Sequence, residues 1–199
     1  MDLIKPVVLA SKSPRRATLL QQIGIQPIIV AVDIEEVFDE EESPARNALR
    51  LSMRKARSVE PEVENGIIIG ADTIVVLDGQ MLGKPLDKSD AHRMLRMLSG
   101  RTHDVITAFA LVDRPSGKWT AAYEETRVTF RSLPDEEIWE YIESGSPMDK
   151  AGAYGIQDDY GAVFVTRIEG CWYNVVGFPL AKFYTTLQEF QHHLIHHLD

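Results

Sequence analysis

Residues Gly66–Pro85 read GIIIGADTIVVLDGQMLGKP. Three consecutive isoleucines, Ile67 to Ile69, make a β-branched apolar run of the kind found in strands buried on both faces. Gly70-Ala71 breaks the run with small residues, Asp72-Thr73 brings a carboxylate and a hydroxyl, and the apolar run resumes at Ile74–Leu77. Asp78-Gly79 is a hairpin dipeptide, and the return leads to Gly83-Lys84-Pro85. An aspartate between two apolar strand segments is costly to bury unless it is paired or binds a cation. Alone, the stretch leaves two readings open: Asp72 as a turn residue with Lys84 solvated, or both as parts of an anion-binding or cation-binding site.

Working outward toward the N-terminus, Pro6–Ala10 (PVVLA) reads as a first buried strand that runs directly into Ser11-Lys12-Ser13-Pro14-Arg15-Arg16. Ser13 is a good N-cap and Pro14 suits the first helical position. Leu19, Leu20 and Ile23 supply the helical stripe and Gly24 ends it. A strand-to-helix turn presents backbone N–H groups and the positive end of a helix dipole. Two hydroxyls, a lysine and two arginines within six residues favour an anion site there over an ordinary capped helix. A second strand is expected over Pro27–Val32, followed by Asp33-Ile34-Glu35-Glu36 and an acidic run, Glu35–Glu42, that reads as a solvated loop. Ser43-Pro44 repeats the cap-and-proline signal and opens a helix to about Ser58, on which Ala48, Leu51 and Lys55 share a face. Spacing alone favours a snorkelling Lys55.

Toward the C-terminus, Ser89–Leu98 reads as an amphipathic helix closed by Gly100, and Thr102–Val112 with Trp119–Arg131 as a long antiparallel pair. Pro134–Ser144 is a helix with an acidic first turn. Asp149–Gln157 (DKAGAYGIQ) is an irregular polar loop of the kind that carries function. Ala162–Ile168 and Cys171–Val176 are expected to form a hairpin turned at Glu169-Gly170, and Phe178–Leu198 a terminal helix. Its final His192-His193-Leu194-Ile195-His196-His197 holds two i,i+4 pairs, which read as cations suited to a helix C-terminus rather than as a metal site, because no acidic third ligand is well placed.

With 199 residues, one domain, with or without two lobes, is expected. A content of 44% hydrophobic and 26% charged residues places the chain among soluble globular proteins. No apolar run is long enough to span a bilayer, and the N-terminal segment is too short for a signal peptide, so a cytoplasmic chain with no membrane partner is expected. The single Cys171 excludes a disulfide framework within the chain and any cysteine zinc cluster. A net charge of −9 argues against nonspecific nucleic-acid binding. It leaves room for a small phosphate ligand where basic residues converge.

Three motifs now stand in order: Ser11–Arg16 (SKSPRR), Gly70–Thr73 (GADT) with Gly83–Pro85 (GKP), and Asp149–Gln157 (DKAGAYGIQ). Together they resemble the Maf family of nucleoside triphosphate pyrophosphatases, over nearly the whole chain as far as Val175-Val176-Gly177-Phe178-Pro179. The resemblance implies an elongated α/β mixed-sheet fold related to the inosine triphosphate pyrophosphatases, a single domain over 1–199 with two lobes around a central cleft, the second roughly 100–160, and a homodimer. It implies Asp72 as the catalytic proton acceptor, with Glu36, Lys55 and Lys84 lining the same site. It also implies that Arg15, Thr73 and Gln157 set substrate choice, in the pattern of the subgroup acting on dTTP and UTP. One departure is the run Asp158-Asp159-Tyr160 before Gly161, where the family often continues with glycines.

The chemistry of such a reaction, water attacking the α-phosphorus to release pyrophosphate, needs charge stabilisation and alignment above all. Ser11, Ser13, Arg15, Arg16, Lys55 and Lys84 are the candidate phosphate-binding residues. Glu36 and Asp72 are the candidate ligands of a divalent cation, Mg²⁺ or Mn²⁺, since hard oxygen donors suit it. Asp72 would also orient or deprotonate the water. The Gln157 amide offers a donor and an acceptor together, which suits the N3–H and carbonyl edge of thymine or uracil. The competing expectations are action on 7-methyl-GTP, and a nucleotide-binding regulator of cell division with little turnover; both intact Asp72 and the intact basic loop disfavour the latter.

Overall fold

The computed structural model describes residues 3–157 and 160–196. The chain runs β1 (Val7–Ala10), α1 (Pro14–Gln22), β2 (Ile28–Val30), α2 (Pro44–Ser58), β3 (Gly66–Leu77), β4 (Gln80–Leu82), α3 (Lys88–Leu98), β5 (Thr102–Arg114), β6 (Trp119–Phe130), α4 (Asp135–Glu143), β7 (Val165–Glu169), α5 (Trp172–Val176) and α6 (Leu180–His196), with short 3-10 turns between them. The fold is α/β with a mixed sheet in the order β2-β1-β3-β5-β6-β7, and β4 also pairs with β3. β1 is parallel to both of its neighbours, Val8 lying opposite Ile28 on one side and Ile68 on the other. The parallel centre explains why Val7–Ala10 and Ile67–Ile69 are unbroken apolar runs: both faces are covered.

Two compact units divide the chain. The first comprises Met1–Asp72, Thr107–Glu124 and Gly177–Asp199, the second Thr73–Ile106 and Glu125–Val176. Residues 107–124, inside the range expected for a second lobe, therefore belong to the first unit. The first unit packs Val8, Ala10 and Ile68 against Ala56 and Val59 of α2 and its end. The second packs Leu95 and Leu98 of α3, Ile138 and Ile142 of α4, Phe130 and Phe164 into one cluster. No helix among the described residues is long and apolar enough to cross a membrane.

Three expectations change. Gly70-Ala71 is no break: β3 is one continuous strand from Gly66 to Leu77, turned at Asp78-Gly79 into β4 with both turn residues at positive φ, 49° and 80°. Residues 171–176 are no return strand. Cys171 O accepts from Asn174 N, and the Asn174 side chain donates to Val105 O at 2.8 Å and Thr126 Oγ1 at 3.0 Å, so a helical turn forms where Trp, Tyr and Val favour a strand. The preceding Ala162–Phe164 belongs to a 3-10 turn, and β7 starts only at Val165. The terminal helix begins at Leu180, after Pro179, rather than at Phe178.

Candidate active site

The centre of the site follows from one glycine. A Cβ on Gly70 would lie 2.1 Å from Ser52 O and 2.5 Å from Ala56 N, so the α2 backbone rests directly on β3 at that residue. Alternation along a strand puts Gly70 and Asp72 on one face, and helical spacing puts Ser52, Lys55 and Ala56 on one face. The contact at Gly70 therefore delivers Lys55 to Asp72. Lys55 Nζ donates to Asp72 Oδ1 at 2.5 Å and to Glu36 Oε1 at 2.7 Å. Asp72 is 3% exposed and Lys55 8%. Lys55 is thus no snorkelling side chain: its ammonium sits between two carboxylates, and the helix face that looked apolar from its spacing is aimed inward.

Glu36 comes from the irregular acidic stretch before α2, and that stretch is not simply solvated. Asn47, buried in α2, accepts from Asp39 N at 2.8 Å and donates to Asp39 O at 2.8 Å, while Arg50 donates to Val37 O at 3.0 Å. Asn47 and Arg50 are positioning residues that sequence reasoning passed over. The available signal was an Asn in the first turn of a helix, where its amide can serve the incoming loop.

The turn from β1 to α1 supplies the basic side. Ser11 is buried, and its Oγ accepts from Ser13 N at 3.1 Å and from Arg16 Nη1 at 3.3 Å. Arg16 is buried too and donates through Nε to Gly177 O at 3.0 Å. Its guanidinium acts electrostatically on Asp72 and Glu36, which places it with the Lys55 cluster. Ser13 holds the N-cap position of α1, as expected, but its side chain makes no capping bond. Arg15 lies half-buried in the first turn, and Lys12 pairs at 2.8 Å with Asp33.

Burial pushes the Asp72 carboxyl above the usual carboxylate range; Lys55 opposes that shift and Glu36 reinforces it. A carboxylate moved toward neutrality is the kind a general base needs. Burial likewise lowers Arg16 from its ordinary value, against the attraction of Asp72 and Glu36. The pair Glu36 and Asp72 fits a divalent cation. Both oxygens bond one ammonium and so lie within roughly 5 Å of each other. Two carboxylates, completed by water and phosphate oxygens, are a usual Mg²⁺ set. Among the described residues no group of three or more His, Cys, Asp or Glu is placed to hold a metal. His197, the i+4 partner of His193, lies outside them.

In the second unit, Thr73 follows Asp72 on β3 and is half-buried, and Lys84 is exposed on the loop after β4. That loop is joined to the third motif: Gly152 N donates to Gly83 O at 3.0 Å. Gly152 sits at φ +67°, and a Cβ there would meet Val75 Cγ2 at 2.8 Å. Ala153 follows at φ 59°, a conformation an L residue adopts at a cost of about 1–2 kcal/mol. The Gln157 Oε1 is buried with no hydrogen-bond partner among the described residues. The departure at Asp158-Asp159 lies outside the described residues.

The Maf-like protein family model matches residues 6–190, from the first strand into the last helix. The chain belongs to that family. This Maf-like chain is 47% identical over 184 residues to a dTTP/UTP pyrophosphatase of Carboxydothermus hydrogenoformans, covering 92% of the chain and 97% of the relative. It is 49% identical over 179 residues to a protein of the same name from Syntrophomonas wolfei, covering 90% and 94%. A third, from Pelotomaculum thermopropionicum, is 44% identical over 192 residues, covering 96% and 100%. The Ham1 protein of Staphylococcus aureus overlaps the Maf-like chain at a TM-score of 0.44 and 13% identity, covering 63% of this chain and 72% of that one.

Proposed function

We propose that this Maf-like protein hydrolyses dTTP and UTP to the nucleoside monophosphate and pyrophosphate. The observation that carries the reading is the Glu36–Lys55–Asp72 cluster, with Lys55 and Asp72 buried and Arg16 and Ser11 beside them. The names of its relatives give the substrate class. Asp72 accepts a proton from the attacking water, which adds to the α-phosphorus as the bond to the bridging oxygen breaks and pyrophosphate leaves. Lys55 holds the Asp72 carboxylate in place and keeps it ionised. Arg15, Lys84 and the Ser11–Arg16 turn neutralise the phosphates. Asp72 and Glu36 would hold a divalent ion, Mg²⁺ or Mn²⁺, which supplies further charge stabilisation when bound.

Base choice falls to Gln157 with Arg15 and Thr73. A carbonyl oxygen buried without a partner among the described residues asks for a donor, and N3–H of thymine or uracil is one; cytosine presents a lone pair at that position. A site built on such a group rejects the wrong edge strongly because its own polar atom stays unpaired. The enzyme acts in the cytoplasm on free nucleotides, as a homodimer; the exposed Ile28 and Ile29 of edge strand β2 suit burial against a second copy. A panel of dTTP, UTP, dCTP and 7-methyl-GTP with Mg²⁺, scored for pyrophosphate against orthophosphate, tests the reading. Pyrophosphate from dTTP and UTP supports it; orthophosphate as the first product, or preference for 7-methyl-GTP, refutes it.

A further inference from the structure

The second unit holds a buried polar pair that the chemistry above does not use. His103 on β5 is 2% exposed, and its Nε2 lies 2.8 Å from the Tyr154 hydroxyl. The His103 ring stands edge-on to Phe130, at the end of β6, and to Tyr154, with centroids 5.0 and 5.4 Å apart; Phe130 and Tyr154 are edge-on at 4.7 Å. Burial lowers the His103 pKa to about 4, so the ring is neutral at physiological pH, and its Nδ1 is buried without a partner among the described residues. A neutral imidazole with one orphaned nitrogen is an expensive way to fill a core that a phenyl ring could fill. What it provides is a directional bond to Tyr154.

Tyr154 stands three residues before Gln157. Immediately after it, Gly155 N donates to the Tyr141 hydroxyl at 3.1 Å. Immediately before it, Gly152 and Ala153 both take left-handed backbone conformations, free for the glycine but costly for Ala153, whose surroundings must hold it there. The Gln157 Oε1 has no partner among the described residues, so the backbone that carries it sets its position.

We infer that His103, through its hydrogen bond to the Tyr154 hydroxyl, is a positioning residue that holds the 152–157 backbone where Gln157 can read the pyrimidine edge. The inference rests on the reading of Gln157 as the base-recognising side chain. It makes His103 and Tyr154 specificity-determining without contact to substrate. Phe130, Val75 and Tyr141 give the loop its packing; the His103–Tyr154 bond gives it register.

The test is kcat/KM for dTTP and for dCTP in the full-length enzyme, for Tyr154→Phe, His103→Leu, His103→Gln and Gln157→Ala, with thermal melting of each. Tyr154→Phe keeps the ring packing and deletes the bond. Loss of one hydrogen bond is expected to lower the dTTP/dCTP efficiency ratio by about three- to tenfold, mainly through KM for dTTP. His103→Leu should do the same, the double variant should add little to either single one, and His103→Gln, which keeps an amide donor near the Nε2 position, should restore most of the ratio. A purely structural role would lower melting temperature and leave the ratio unmoved, which overturns the inference. Gln157→Ala separates the two failures. If it collapses the ratio while Tyr154→Phe does not, the positioning claim falls and the base reading stands. If Gln157→Ala leaves the ratio intact, the base reading falls and the inference with it.

Discussion

Replacing Lys55 with methionine removes the cation that bridges Asp72 and Glu36 and keeps most of the side-chain volume. Lys55 Nζ is 2.5 Å from Asp72 Oδ1 in a buried setting. A unit charge about 4 Å from the carboxylate centre is worth about 4 kcal/mol at an effective dielectric of about 20. Water entering the vacated space, and the partly exposed Glu36, relieve part of it. The Asp72 carboxyl should therefore rise further, on top of the elevation that burial already imposes. The assay is kcat/KM for dTTP from about pH 5 to pH 9 at fixed, saturating Mg²⁺. In Lys55→Met the acidic limb should move to higher pH, with activity recovering toward alkaline pH. A limb that stays in place while the rate falls evenly at every pH would refute the argument: Lys55 would then serve the phosphates and not the ionisation of Asp72.

Asp72→Asn should lower turnover by about two to four orders of magnitude, measured on dTTP. Since burial raises the folded pKa of Asp72, the wild type carries a cost at neutral pH that vanishes in acid; the variant should melt higher than wild type at pH 8, by about 2–4 °C for each kcal/mol relieved, with the gain gone near pH 3. Gly70→Ala drives a methyl group into the α2 backbone and should cost about 1–3 kcal/mol by urea unfolding, with activity falling further than stability because Lys55 is displaced from Asp72. His103 has a folded pKa of about 4, below its unfolded value, so its contribution is present above about pH 6.5 and is lost as pH falls toward 4; His103→Gln should remove up to about 3 kcal/mol of that acid sensitivity in unfolding free energies compared at pH 7 and pH 4.5.

The elements that carried their own local signals were legible in the sequence. Ser43-Pro44 opens α2, and the Ser43 side chain accepts from Arg46 N as a cap should. Asp78-Gly79 turns β3 into β4, and Val7–Ala10 and Ile67–Ile69 pair as buried parallel strands. What failed depended on partners distant in the chain. Gly70 looked like a break because the sequence does not show α2 lying on it; given that contact, the same glycine is required inside a continuous strand. Lys55 looked like a snorkelling residue for the same reason, since Asp72 and Glu36 reach it only after α2 docks. Residues 171–176 have strand-like side chains, yet Asn174 finds Val105 O and Thr126 Oγ1 and a helical turn wins. The three motifs marked where chemistry would lie, but Asn47 beneath the Glu36 loop carried only the weak signal of an Asn in the first turn of α2, and His103 beneath Tyr154 has no local pattern that would single it out.

The central claim is attack by an Asp72-activated water on the α-phosphorus, and hydrolysis of dTTP in ¹⁸O-labelled water tests it most directly. Mass spectrometry of the products should find one labelled oxygen in dTMP and none in pyrophosphate, with the labelled dTMP nearly absent in Asp72→Asn. Label in pyrophosphate or in orthophosphate would contradict the account, because water would then have attacked the β- or γ-phosphorus.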